Sequence, residues 1–184
     1  MQTAACFGDS LVYGFPFGPG VSWLAVVEEL TGQRFLNYGV CGDCTDDIYY
    51  RLRTMFLPSD AAHIIFFGGA NDLLQRRPQK FILEDLQKAV EFCAARGLEL
   101  CIVLPLLSSD SVLNERLAPL RSAISSRFAA KVLLLDLQPA VGLSADARAA
   151  AYVDGVHPTP ATYTAMGKYA APLLQNWLQQ NNSQ

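Results

Sequence analysis

Thr3-Ala4-Ala5-Cys6-Phe7-Gly8-Asp9-Ser10-Leu11 is a small, apolar run that breaks at a glycine and opens onto two polar side chains. An apolar run with no polar alternation suits a strand covered on both faces, the usual state of strands in parallel sheets. Outward from it, Arg34 to Gly39, His63 to Gly69, Glu99 to Leu104 and Lys131 to Leu137 are further strand candidates. Helical stretches separate them: Val21 to Leu30, Asp46 to Phe56, Phe81 to Ala95, Ser111 to Ala129 and Pro160 to Gln180. Gly32 and Gly97 stand where a helix end wants a left-handed residue. Thr159 before Pro160 reads as an N-cap followed by proline in the first turn. Strand and helix alternate, so the chain predicts an α/β fold: a five-stranded parallel sheet with helices on both sides.

The totals agree with that reading. A length of 184 residues predicts one domain over 1–184, with Gln179 to Gln184 a frayed polar tail. Hydrophobic residues make up 51% and charged ones 17%, enough apolar material for a packed core. The net charge of −3, with no basic cluster longer than a pair, argues against a nucleic-acid partner. No apolar run is long enough to span a bilayer. No basic segment precedes an apolar stretch at the N-terminus, so the expected location is cytoplasmic; a mature exported form would read the same way. Cys6, Cys41, Cys44, Cys93 and Cys101 are odd in number and widely spread, which argues against a disulfide framework. Cys41 and Cys44 form a lone C-x-x-C, a poor zinc site with only two histidines in the chain, though a redox pair stays open. Cys6, Cys93 and Cys101 read as packing residues.

Ligands of open parallel sheets bind beyond the carboxyl ends of the strands, so the residues following each strand matter most. Gly8-Asp9-Ser10-Leu11 follows the first, Asn37-Tyr38-Gly39-Val40-Cys41-Gly42-Asp43 ends the second, and Gly68-Gly69-Ala70-Asn71-Asp72 ends the third. Asp154-Gly155-Val156-His157-Pro158 lies beyond the fifth. A hydroxyl, glycine backbone, a carboxamide and an Asp/His pair thus converge on one rim, a set suited to acyl transfer. Ser10 would be the nucleophile, which needs a base to take its proton. Of the two histidines, His63 opens a buried strand at the opposite end, which leaves His157. Asp154, three residues earlier, either caps its own turn or holds the imidazole Nδ1. Donors for an oxyanion would be the Ser10 N–H, the Gly42 N–H and the Asn71 side-chain amide; Gly42 is also a turn glycine, and Asn71 could instead bond its own loop.

These four blocks, in this order, resemble those of the GDSL/SGNH hydrolases. Gly8-Asp9-Ser10-Leu11 resembles the nucleophile block, and Asn37-x-Gly39-x-x-Gly42-Asp43 the block whose last glycine supplies an oxyanion N–H. Gly69-x-Asn71-Asp72 resembles the block with the amide donor, and Asp154-x-x-His157-Pro158 that with the acid and base. The resemblance covers residues 3 to about 178 and is nearest to small bacterial members with thioesterase, arylesterase and lysophospholipase activity. It implies a flavodoxin-like three-layer αβα sandwich, catalytic Ser10, Asp154 and His157, an oxyanion hole of Ser10, Gly42 and Asn71, and neither cofactor nor metal. Cys41 and Cys44 depart from the small or hydroxylated residues frequent there. The elbow G-x-S-x-G of another hydrolase fold is not met, because position 12 is valine.

The expected substrate is a small-molecule acyl ester or thioester, cleaved through an acyl-enzyme on Ser10. An acyltransferase or a carbohydrate O-acetylesterase would use the same groups. Tyr13, Phe15 and Phe17 either line an acyl or aryl pocket or pack under the next helix. Arg76 and Arg77 either meet a phosphate or form a solvated basic pair. Among non-catalytic readings, a flavodoxin-like binder lacks its phosphate loop after the first strand. A phospho-acceptor domain, suggested by Asp9 and Asp72, lacks its lysine after the fifth.

Overall fold

The computed structural model describes residues 2–180. Five parallel strands form one sheet in the order β2-β1-β3-β4-β5: β1 (Thr3–Gly8), β2 (Arg34–Gly39), β3 (His63–Phe67), β4 (Glu99–Val103) and β5 (Leu133–Leu135). Helices α1 (Ser10–Tyr13) and α2 (Trp23–Thr31) follow β1, and α3 (Thr45–Thr54) follows β2. Next come α4 (Ala70–Leu74) and α5 (Gln79–Ala94) after β3, α6 (Ser111–Phe128) after β4, and α7 (Gln138–Val141), α8 (Ala145–Ala151) and α9 (Pro160–Gln180) after β5.

The continuous apolar runs divide by parity between two cores. From β1, Ala4 and Cys6 join one core and Ala5 and Phe7 the other; β3 splits likewise into Ile65 and Phe67 against Ile64 and Phe66. On the first face lie Trp23, Leu24 and Val27 of α2 and the apolar stripe of α9 from Tyr163 to Leu178. On the second lie α3, α4, α5 and α6, through residues such as Ile48, Leu73, Ile82 and Leu120. The period of two that points successive side chains to opposite faces therefore makes the sheet the middle of three layers. At the contact between α2 and α9, a Cβ on Gly167 would meet the Val26 side chain and come within 2.7 Å of the Trp23 carbonyl oxygen. Glycine there sets how closely these two helices approach.

Strands β1 and β2 have the expected bounds. The others are shorter. Strand β3 stops at Phe67, because Gly69 turns left-handed (φ 112°) to start α4. Strand β4 stops at Val103, one residue short of Leu104. Strand β5 keeps only three of the expected seven residues, because Lys131 and Val132 still donate to the Phe128 carbonyl as α6 unwinds and Asp136 accepts the Gln138 N–H to start α7. The second helix starts at Trp23 rather than Val21, capped by the Ser22 hydroxyl on the Leu24 N–H. Gly32 and Gly97 are left-handed (φ 64° and 65°), and Thr159 Oγ1 accepts the Thr162 N–H at the head of α9. Of the tail expected to fray, Gln179 and Gln180 belong to α9 and residues 181–184 lie outside the described residues.

Candidate active site

The register aligns Gly8 of β1 with Gly39 of β2 and Phe67 of β3, so the segments after these three strands leave the sheet side by side. Ser10 opens α1 directly after β1, with Asp9 as N-cap accepting the Leu11 N–H at 2.9 Å. Its hydroxyl lies 3.0 Å from His157 Nε2, across 147 residues of chain. His157 Nδ1 lies 2.7 Å from Asp154 Oδ2. The other oxygen, Oδ1, accepts the backbone N–H groups of His157 (2.8 Å) and Val156 (3.1 Å). Asp154 thus both caps its own turn and holds the imidazole, so the two readings of that carboxylate coexist. Burial pushes the Asp154 carboxyl up, but the bonds from His157 and Val156 outweigh it and hold the group below the ordinary aspartate value. An Nδ1 proton given to Asp154 leaves Nε2 free to accept from Ser10.

The Phe15 ring packs against the imidazole, with centroids 4.6 Å apart. Its carbonyl accepts the hydroxyl of the buried Tyr163, one turn into α9. Of the three aromatics after the nucleophile, Phe15 therefore belongs to the site, while Phe17 is 43% exposed. The loop after β2 turns at Gly42 (φ 89°), a left-handed geometry that disfavours any side chain. The Ser10 and Gly42 N–H groups have no protein acceptor among the described residues. Asn71 Nδ2 donates to the Asp43 carbonyl at 2.9 Å, which ties the third block to the second and leaves its other amide hydrogen unspent. The alternative in which Asn71 bonds its own loop is not adopted.

Two arginines hold this rim in shape. Arg51 donates to the carbonyls of Tyr38 (2.7 Å) and Gly8 (2.9 Å) and pairs with Asp43 at 2.6 Å, tying the ends of β1 and β2 to α3. Arg77 bridges the buried Asp72 (2.6 Å) and Asp85 (2.7 Å), while Thr45 donates its N–H and hydroxyl to Asp72. Arg77 is thus a structural cation, not half of a solvated pair, and its partners hold its charge more firmly than burial opposes it. Arg76 adopts a positive φ of 61° beside it. Neither arginine's role shows in the sequence, because their partners lie 5 to 43 residues away with no periodic pattern. Asn37, which heads the second block of the sequence, donates to the Val12 carbonyl and accepts from the Gly39 N–H.

Burial first, then the carboxylates of Asp72 and Asp43, push the Asp9 carboxyl up to about 7 against the Leu11 N–H that opposes it. The thiols of all five cysteines are free. Cys41 is exposed next to Gly42, while Cys44 is buried with its thiol pushed up to about 12 by burial and by Asp72. Cys44, Asp46 and Asp72 each bring one ligand atom within 4.8 Å of the others. The Arg77 guanidinium already serves as counter-charge there, 2.6 Å from Asp72 and 3.7 Å from Asp46. His63 is buried at the opposite end of the sheet, edge-on to Trp177, with its basicity lowered by burial. No helix among the described residues is long and apolar enough to cross a membrane.

A family model described as GDSL-like lipase/acylhydrolase matches residues 6–165. The fold is similar to that of a G-D-S-L family protein from Desulfitobacterium hafniense DCB-2, with a TM-score of 0.84 and 23% identity over 94% of this chain and 99% of that one. A member of the lipolytic protein G-D-S-L family from Veillonella parvula DSM 2008 follows at 0.80 and 23%, over 94% and 98%. A carbohydrate acetylesterase family member from Sinorhizobium meliloti gives 0.70 and 18%, over 97% and 99%. No curated protein sequence matches the chain.

Proposed function

The chain belongs to the GDSL-like lipase/acylhydrolase family, and from that premise we propose that it cleaves carboxylic esters through an acyl-enzyme on Ser10. The observation that carries the reading is the unbroken line from Asp154 through His157 to the Ser10 hydroxyl, at 2.7 and 3.0 Å. His157, oriented by Asp154, takes the Ser10 proton at Nε2 as the oxygen attacks the acyl carbon. The Ser10 and Gly42 N–H groups and the free Asn71 amide hydrogen receive the oxyanion. Each such donor contributes about 3 kcal/mol to transition-state stabilisation. The imidazolium then returns the proton to the leaving alcohol or thiol. Water, activated by the same imidazole, releases the acid. Ser10, Asp154 and His157 are the catalytic set in this scheme, with no step assigned to a cofactor or metal. The substrate is a small-molecule ester or thioester, and Phe15 beside His157 favours an apolar acyl or aryl group in contact with the site.

The test is hydrolysis of p-nitrophenyl esters across acyl chain lengths, with wild type and Ser10→Ala side by side. We expect kcat to fall at least roughly a thousandfold in Ser10→Ala and in His157→Ala. Hydrolysis at the wild-type rate in Ser10→Ala would remove the nucleophile assignment. A second reading, a carbohydrate O-acetylesterase, draws on the likeness to the S. meliloti protein. Preference for an acetylated sugar over every p-nitrophenyl ester would favour it. Ester formation from an added alcohol would instead identify an acyltransferase.

A further inference from the structure

Opposite the catalytic rim, where α3 runs into β3, the surface opens into a cleft of about 350 Å³. Leu52, Leu57, Leu98 and the Phe92 ring supply apolar lining, and Phe56, with 91% of its surface exposed, stands at its edge. A phenylalanine left so open to water is the most exposed large apolar side chain described. Arg53 and Arg96 line this cleft and also an adjoining one of about 420 Å³. No aspartate or glutamate lines either. Among the described residues neither arginine has an ion-pair partner, whereas Arg51, Arg77 and Arg121 all do.

Both guanidiniums lie over aromatic rings, within reach of cation–π attraction. Arg96 lies 3.7 Å over the Phe92 ring and Arg53 5.5 Å over that of Tyr50. A guanidinium held against a ring by cation–π attraction keeps N–H donors available, and paired N–H donors grip a carboxylate. On a chain of net charge −3, two unpaired cations beside an apolar lining mark a locally basic, amphipathic site. We propose that this cleft binds a single-chain organic anion of the fatty carboxylate class. The carboxylate meets Arg53 and Arg96, and the chain lies along Leu52, Leu57 and Leu98 with Phe56 beside it. The site is separate from Ser10 and does not depend on the chemistry proposed there.

Calorimetric titration of the whole protein with octanoate tests this, with acetate (no chain) and 1-octanol (no charge) as comparisons. Octanoate is expected to bind saturably and more tightly than either, and Arg53→Gln/Arg96→Gln is expected to weaken it at least roughly tenfold. Phe56→Ala should weaken octanoate while leaving acetate unchanged. Both arginines are exposed, so the variant should keep its fold, which cooperative thermal unfolding checks. Octanoate held at the catalytic rim would be held equally by both proteins, so the difference between them reports this cleft. Equal affinity in the two proteins, equal affinity for octanoate and 1-octanol, or no saturable binding would overturn the proposal.

Discussion

Asp9 stands beside the candidate nucleophile with its carboxyl buried and no cation against it. Its value of about 7 in the folded chain lies above the usual one near 4, so folding favours its protonated form. Stability contributed this way is complete below the unfolded value and lost as pH rises toward about 7. The free energy of unfolding should therefore fall between about pH 4 and pH 7, on the order of a few kcal/mol. In Asp9→Asn, which keeps an acceptor for the Leu11 N–H, that slope should flatten. Urea denaturation over this range checks it, and an unchanged slope in the variant would show that Asp9 does not titrate there. Residues also differ in how plainly the sequence announced their contacts. The Asp154–His157 pair was legible because a loop with two intervening residues suffices to bring a carboxylate onto an imidazole. The Phe15 ring on that imidazole was not, nor was the Tyr163 hydroxyl on the Phe15 carbonyl, because each joins chain segments more than 140 residues apart.

Elements meet at this rim through charge as well as through apolar packing. Arg77, Asp72, Asp85 and Thr45 lock α3, α4 and α5 together beneath the loop that carries Gly42 and the turn that carries Asn71. Arg77→Met would leave the buried Asp72 without a cation and Asp85 with only the exposed Lys88, 3.0 Å away. Removing one partner from a buried pair costs about 3–5 kcal/mol, and the partial exposure of Arg77 places the expected loss at about 2–3 kcal/mol. Chemical denaturation reads that loss, and a change below about 0.5 kcal/mol would make the cluster a bystander. On the other face, Gly167→Ala should destabilise by about 1–3 kcal/mol, because its methyl group has no room between α9 and α2. An unchanged denaturation midpoint would mean that the helices separate freely. Elements were legible in proportion to their length. Helices α5, α6 and α9 run for 16, 18 and 21 residues, long enough to show their period. Helices α1, α4 and α7 have four or five residues each, barely a turn, and were hidden inside what read as loops.

Across the molecule, the order of the sheet was the least legible feature, since apolar runs state that strands exist but not which lie side by side. The order places β1 between β2 and β3, and so puts Ser10 between the loop that carries Gly42 and the helix α4 that carries Asn71. It also leaves the clefts of the opposite end far from that chemistry, where sequence patterns gave no sign of them. Arg53 and Arg96 lie 43 positions apart and gain a common purpose only once α3 and α5 are packed on the same face.

The separation of 147 positions between Ser10 and its imidazole partner has a temporal consequence. During synthesis the hydroxyl precedes the imidazole by 147 positions, and all five strands are made before the imidazole is. Loop closure over so long a span comes late, since its entropy is lost before the final contacts return anything. In refolding from urea, helical circular dichroism should therefore recover ahead of ester hydrolysis. Simultaneous recovery would mean that the last helix docks as early as the sheet itself. A delay would instead mean that the proposed hydrolysis waits on the docking of the segment that carries His157.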